Sequence, residues 1–456
     1  MSSPRFPETI QLRAYQHQAV DNWFANRGRG TLKMATGSGK TITALAILTE
    51  LYQRIGLQGA IVICPYRHLV TQWQRECQKF GLLPILAFEN VRSWQQELSA
   101  QLYGARSGTQ LFVCAITTNS TLIGDGFQSL LSYWPEKTLI IGDEAHNLGT
   151  EKLEESLPKR VGLRLALSAT PERCFDEAGT EAIFNYFGKV IPPELTLKDA
   201  ITQGALVHYS YYPVLVNLTS SESLQYAKLT ARIGWALGNG EELEESENLT
   251  TLLVRRSRLI ANAAGKLDLL REIMRSRLQT SHTLFYCGDG SIDSRGKLTE
   301  KTSQRQLDAV MQLLGTELGY RVKSYTADTP LKERELLRKQ FSAGDLQGLV
   351  AIRCLDEGVD IPAIQTAIIL ASSRNPRQFI QRRGRILRPY PNKHRATLFD
   401  AIVIPPSLDR KTWNVERNLL RKELQRFVEF ADLADNAGEA RKKLLGLQKE
   451  YQLLDL

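Results

Sequence analysis

The chain has 456 residues and carries 58 Lys and Arg against 49 Asp and Glu, a formal net charge of +9. At about 150 residues per domain, that length predicts two or three domains, each able to bury its own core. Hydrophobic residues at 43% and charged residues at 23% exclude wholesale disorder, and the apolar runs (IVIC, AIILA) are strand-sized, which excludes a helix that spans a bilayer.

The first residues, MSSPRFPETIQLRAYQ, have no apolar signal core, and the six cysteines are scattered with no CxxC pair. Both features point to a reducing, cytoplasmic setting with no membrane partner and no zinc ribbon or disulfide framework. Excess positive charge favours a polyanionic partner without identifying one.

In chain order, residues 10–190 alternate short β-branched runs with helical spacing. GAIVIC (59–64), QLFVCAI (110–116), KTLIIGD (137–143) and RLALSAT (164–170) read as buried parallel strands. TITALAILTELYQR (41–54) and RHLVTQWQRECQKF (67–80) read as helices; Trp73 in the second, like Trp94 after it, is read as core rather than as a base-stacking surface. Residues 196–262 break the rhythm. VHYSYYPVLVNL, the helical SSESLQYAKLTARIGWAL and the acidic GNGEELEESEN read as a bridging insert, the one obvious place for a strand-separating pin. The alternation returns from residue 263 with HTLFYC, YRVKSYTA, GLVAIR, TAIILAS and ATLFDAIV as strands; GDGSIDSRGK reads as a loop that lacks the terminal Glu of a calcium site. Two amphipathic helices follow from residue 411. The domains expected are therefore 1–195, an insert at 196–262, 263–410, and a helical extension at 411–456. The fold class is α/β, two tandem doubly wound parallel sheets.

The strongest local motif is Met34-Ala35-Thr36-Gly37-Ser38-Gly39-Lys40-Thr41, a loop ahead of a helix that ends in GK[ST]. Its glycines let backbone N–H groups curl round phosphates, Lys40 reaches the β and γ oxygens, and Thr41 offers a hydroxyl to Mg²⁺. Met34 stands where the general pattern has glycine. About a hundred residues on, the apolar run LIIGD ends in Asp143-Glu144-Ala145-His146. A buried, unpaired carboxylate is costly unless it serves a ligand, so Asp143 is read as the Mg²⁺ carboxylate and Glu144 as the group that polarises the attacking water.

Taken together these motifs resemble the core of the superfamily 2 helicases and translocases, whose two sheet domains are RecA-like. The resemblance extends over nearly the whole chain, and its nearest flavour is the branch of repair helicases and restriction motors. It implies ATP and Mg²⁺ as cofactors and assigns further roles. Gln16 in LRAYQHQAV resembles the adenine-reading glutamine. Ser168 and Thr170 in SATP resemble the turn that couples nucleotide state to the second domain, and His146 belongs with that coupling. Gly358 and Asp360 in DEGVDIP face nucleotide and ribose. In QRRGRILR, Arg385 and Arg388 match the arginine fingers, with Gln381 and Arg382 as supporting contacts. Residues 371–399 hold eight Lys and Arg and no Asp or Glu, unlike a salt-bridged surface helix. By position, Arg67, Thr117, Thr118, Thr326 and Arg353 are the nucleic-acid contacts the resemblance implies. The activity implied is an ATP-dependent DNA helicase or translocase of repair, recombination or defence, with DNA favoured over RNA. The alternatives are a motor subunit that works with a nuclease or other defence or repair partner, an RNA helicase, or an ATPase clamp that does not translocate.

Overall fold

The computed structural model describes residues 3–173, 176–238, 249–288, 291–292, 304–326, 328–352, 361–371, 384–406 and 410–456. The chain divides into two compact units, Met1–Ala205 and Leu206–Leu456.

The first unit is built on seven strands: β1 (Arg29–Met34), β2 (Gly59–Cys64), β3 (Ile85–Ala87), β4 (Val113–Thr118), β5 (Thr138–Asp143), β6 (Leu163–Ser168) and β7 (Val190–Leu195). They pair in parallel in the order β3-β4-β2-β5-β6-β1-β7. Helices cover the sheet, so β2, β4 and β5 are buried along their whole length, as their unbroken apolar runs require. Ile61, Ile63, Ile140 and Ala166 join Trp94, Leu98 and Phe187 in one packed cluster.

The second unit has β8 (His208–Asn217), β9 (Thr283–Cys287), β12 (Val322–Tyr325), β13 (Gly348–Ile352), β14 (Thr366–Ile369) and β15 (Arg395–Ile404) in the parallel order β12-β13-β9-β14-β15-β8. A two-residue antiparallel ribbon, β10 (Ser291–Ile292) with β11 (Gln304–Arg305), stands where a plain loop is expected. Among the described residues no helix is long and apolar enough to cross a membrane. The described cysteines, Cys64, Cys77, Cys114 and Cys287, are buried and unbridged.

The described residues of 196–262 divide between the two units rather than forming one of their own. Helix Leu197–Thr202 stays with the first unit, while β8 runs beside β15 through ten matched pairs as the edge strand of the second sheet. The reason lies in its tyrosines. Tyr209 and Tyr211 are fully buried against Phe430 of the helix Arg410–Asp432, and Tyr212 stacks on Phe399 with ring centroids 5.1 Å apart. The C-terminal helices belong to this unit as well. The Asn436 side chain accepts from the Tyr211 N–H at 2.8 Å and donates to its carbonyl at 2.9 Å, and the Asp435 N–H bonds the Tyr209 carbonyl. Those contacts cap an otherwise open strand edge.

Candidate functional site

β1 ends at buried Met34 and feeds a turn in which Gly37 (φ 88°) and Gly39 (φ 93°) take left-handed conformations open to glycine at no steric cost. Gly39 is the N-cap of helix Lys40–Ile55, and a Cβ there would come within 2.8 Å of Gln16 Nε2. The helix carries no acidic residue in its first turn, so its N–H groups and dipole favour an anion. Helix Ala14–Ala25 braces the loop. Tyr15 OH donates to the Ser38 carbonyl at 2.5 Å, and Gln16 Nε2 lies 3.2 Å from both the Gly39 carbonyl and Thr43 Oγ1. Gln16 Oε1 accepts from the Arg13 N–H, and the side chain is buried. Lys40 Nζ arches back to the Met34 carbonyl at 3.0 Å. The hydroxyls of Thr36 and Ser38 are buried with no hydrogen-bond partner among the described residues. Orphaned hydroxyls in a loop of this shape suit phosphate oxygens.

At the end of β5, Asp143 is buried, with one carboxylate oxygen accepting the Trp73 indole N–H at 2.7 Å and the other the Glu144 backbone N–H at 3.0 Å. Burial first, then the Glu144 charge, push its carboxyl up to about 6, opposed by the Trp73 hydrogen bond and the positive charge of Lys40. Trp73 is thus core, as expected, but also a partner of the site; Trp94 is core alone. Glu144 sits at φ 46°, a left-handed conformation that costs a non-glycine residue about 1–3 kcal/mol.

From Glu144 a polar chain leads to the SAT turn. His146 Nδ1 is 3.6 Å from Glu144 Oε2 and 3.3 Å from Ser168 Oγ, and Ser168 Oγ accepts the Thr170 N–H at 3.1 Å. The Asn147 amide donates to His146 Nε2 at 3.1 Å, which fits the tautomer with its proton on Nδ1. Arg173 extends the chain by donating to the His146 carbonyl at 2.5 Å and to Asp176 at 2.6 Å. Sequence reading passed over Arg173; its nearness to the SATP run was the available signal. Among the described residues no group of three or more His, Cys, Asp or Glu could hold a metal ion. Asp143, each of whose carboxylate oxygens accepts one hydrogen bond and keeps a lone pair, fits Mg²⁺, which takes one or two carboxylates together with substrate phosphates and water.

In the second unit, Arg385 is buried and Arg388 half-buried on a segment that Lys393 fastens, through Nζ to the Ile386 carbonyl at 2.5 Å and the Pro362 carbonyl at 3.0 Å. Gly358, Asp360, Gln381, Arg382 and Arg353 lie outside the described residues.

The expected nucleic-acid contacts divide. Arg67 starts helix Arg67–Lys79 with its side chain 67% exposed and pairs with Glu89 at 2.9 Å. Thr117 and Thr118 are buried; the Thr117 hydroxyl donates to the Ala87 carbonyl, and Thr118 Oγ1 caps helix Asn119–Ile123 by accepting the Thr121 N–H. Their hydroxyls act within the protein rather than on its surface. Thr326 is half-buried, its carbonyl held by Arg334 and its N–H by Thr329.

Two family models match the chain: the type III restriction enzyme res subunit over residues 9–173 and the helicase conserved C-terminal domain over residues 267–390. The DNA 3'-5' translocase XPB2 of Sulfurisphaera tokodaii is 26% identical over 394 residues, 84% of this chain and 80% of that protein. The putative DNA 3'-5' helicase Rad25 of Haloarcula marismortui is 27% identical over 387 residues, 83% of this chain but only 51% of the relative, so the chain spans about half of that protein. Two solved structures share the fold. The Hef helicase domain of Pyrococcus furiosus matches with TM-score 0.54 at 16% identity, over 88% of this chain and 97% of that one. The ATP-dependent type ISP restriction-modification enzyme LlaBIII bound to DNA matches with TM-score 0.56 at 18% identity, over 94% of this chain and 31% of the other.

Proposed function

The chain belongs to the superfamily 2 helicases and translocases, nucleic-acid-dependent ATPases, and on that premise we propose that it is a DNA-directed motor with the following division of labour. The loop Thr36–Thr41 receives the phosphates of ATP, with Lys40 exchanging the Met34 carbonyl for phosphate oxygens. Thr41 and Asp143 hold Mg²⁺, which when bound neutralises phosphate charge. Glu144 takes the proton of the attacking water. Gln16 braces the loop and turns the remaining lone pair of Oε1 to adenine. His146, Ser168 and Thr170 relay the state of Glu144 to the SAT turn. Arg385 and Arg388 meet the charge that develops on the γ-phosphate, with Gly358, Asp360, Gln381 and Arg382 around the nucleotide. Arg67, Arg353 and Thr326 serve DNA phosphates.

The observation that carries this reading is the meeting of two motifs about a hundred residues apart: the Lys40 charge acts on the Asp143 carboxyl, beside a loop whose Thr36 and Ser38 hydroxyls have no hydrogen-bond partner among the described residues. The DNA-acting relatives support DNA as the track. The four unbridged cysteines support a cytoplasmic setting. Steady-state ATPase activity without nucleic acid and with single-stranded DNA, duplex DNA or RNA tests the proposal, with Glu144→Gln as control. Strong stimulation by a DNA form, abolished in E144Q, is expected. Stimulation by RNA alone overturns the DNA assignment. The restriction-subunit family match favours a second reading, in which the chain is the motor of a defence assembly. Under that reading stimulation appears only once a nuclease or methylase partner is added.

A further inference from the structure

Trp73 and Asp143 stand 70 residues apart in sequence and meet through one hydrogen bond, indole N–H to carboxylate, at 2.7 Å. Trp73 lies on helix Arg67–Lys79, packed on β2 and β4, and is only 1% exposed, so the donor is fixed in place. The other oxygen of Asp143 is taken by the Glu144 backbone N–H at 3.0 Å. Each oxygen therefore has one lone pair engaged and one left, and the plane of the carboxylate is set from two sides. A hydrogen bond to an ionised acceptor is also roughly twice as strong as a neutral one.

Core packing does not require this contact. Trp94 is 2% exposed in the same unit, and its indole nitrogen has no hydrogen-bond partner among the described residues, as is true of Trp134. Among the described residues this unit thus holds buried indoles both without a partner and, at Trp23, with a backbone carbonyl as partner (Arg164, 3.2 Å), whereas the Trp73 N–H is aimed at the acid.

We propose that Trp73 is a positioning residue: its N–H orients the Asp143 carboxylate and thereby sets how firmly Mg²⁺ is held beside a bound nucleotide. This rests on the reading of Asp143 as the Mg²⁺ carboxylate. Groups of this kind, which touch a metal ligand but not the metal, change metal affinity by roughly 10–100-fold when removed.

The test is binding of fluorescently labelled ADP to the full chain, in Mg²⁺ and in EDTA, read as the factor by which Mg²⁺ tightens binding. Trp73→Phe keeps most of the packing and removes the donor; it loses about tenfold of the Mg²⁺ effect while its affinity in EDTA stays at the wild-type value. Trp73→His gives up the outer ring but keeps a ring N–H, because histidine Nε2 occupies the place of the indole nitrogen in the five-membered ring. Its helix Arg67–Lys79 is less protected from amide hydrogen exchange than in W73F, yet the variant retains most of the Mg²⁺ effect. Trp94→Phe, the matched core control, retains all of it. Full Mg²⁺ dependence in W73F overturns the proposal alone, as does equal loss in W73F and W73H, which would make the role one of packing. A wild-type chain that binds ADP equally with and without Mg²⁺ overturns the proposal together with the site on which it rests.

Discussion

Arg256→Met probes how the second unit holds its C-terminal helix. The Arg256 side chain is 1% exposed and pairs with Glu416, which is 0% exposed, at 3.1 Å, and with Glu423 at 3.2 Å. Its Nη2 also donates to Tyr226 OH, which in turn donates to Glu416 Oε1, both at 2.5 Å. One guanidinium therefore ties helices Ser220–Gly238 and Leu249–Ala261 to helix Arg410–Asp432. Methionine fills a similar volume but leaves Glu416 buried without its counter-charge, a situation that costs about 3–5 kcal/mol. That corresponds to roughly a hundred- to several-thousand-fold loss of protection. A two-unit chain does not melt as one transition, so amide hydrogen exchange of peptides from 410–432, compared with peptides from the first unit, is the suitable assay. Protection should fall in the first set only, and R256M/E416Q should regain most of it. The pH dependence has a definite sign. Burial raises the Glu416 carboxyl above its ordinary 4.5, and Arg256 is the main influence opposing that rise, so R256M raises it further. A carboxyl raised on folding is stabilised below its unfolded value and loses that stability as pH climbs through the folded value. The R256M deficit should therefore be largest at alkaline pH and shrink as pH falls toward the ordinary carboxyl value of 4.5. Unchanged protection in R256M, or a double variant worse than the single, would refute the reasoning.

What the sequence revealed, and what it hid, follows from range. The loop Thr36–Thr41 was legible as a tight turn ahead of a helix because its requirements are local: two glycines at positive φ and a helix start within eight residues. The same holds for Asp143 and Glu144 at the end of an apolar strand, and for most of the strands. β8 was not legible as a sheet strand, because nothing near Tyr209 announces that its cover is Phe430 and that its neighbour is β15, nearly two hundred residues on. β1 was missed for another reason: RGTLKM has few apolar residues, and its burial comes from flanking β6 and β7. Trp73 shows the limit most plainly. Helical spacing correctly made it core, but spacing carries no record of where an indole N–H points. Thr117 and Thr118 are the converse, hydroxyls that look available at a strand end until Ala87 and Thr121 take them.

Four further variants separate roles that the sequence left merged. Gln16→Ala removes the donors to Gly39 and Thr43 and the acceptor for Arg13; three hydrogen bonds at about 1 kcal/mol each set the loss of nucleotide affinity at up to roughly a hundredfold. Because a brace serves any nucleotide, CTP binding should weaken as well as ATP binding in equilibrium titrations, and a loss confined to ATP would discard the brace. Thr117→Val and Arg67→Ala then test the nucleic-acid face. The Thr117 hydroxyl is spent on the Ala87 carbonyl, so T117V should cost about 1 kcal/mol of stability and leave DNA affinity unchanged. Arg67 differs because its partner, Glu89, is itself 48% exposed, and a surface ion pair of this kind contributes about 0–1 kcal/mol. A DNA phosphate can replace Glu89 at small cost, so R67A should weaken DNA binding and lower the slope of log affinity against log salt by about 1. Glu89→Gln, which releases Arg67 and removes a negative charge, should strengthen binding. If E89Q and R67A shift DNA affinity in the same direction, Arg67 contributes to the fold of the first unit and not to the track.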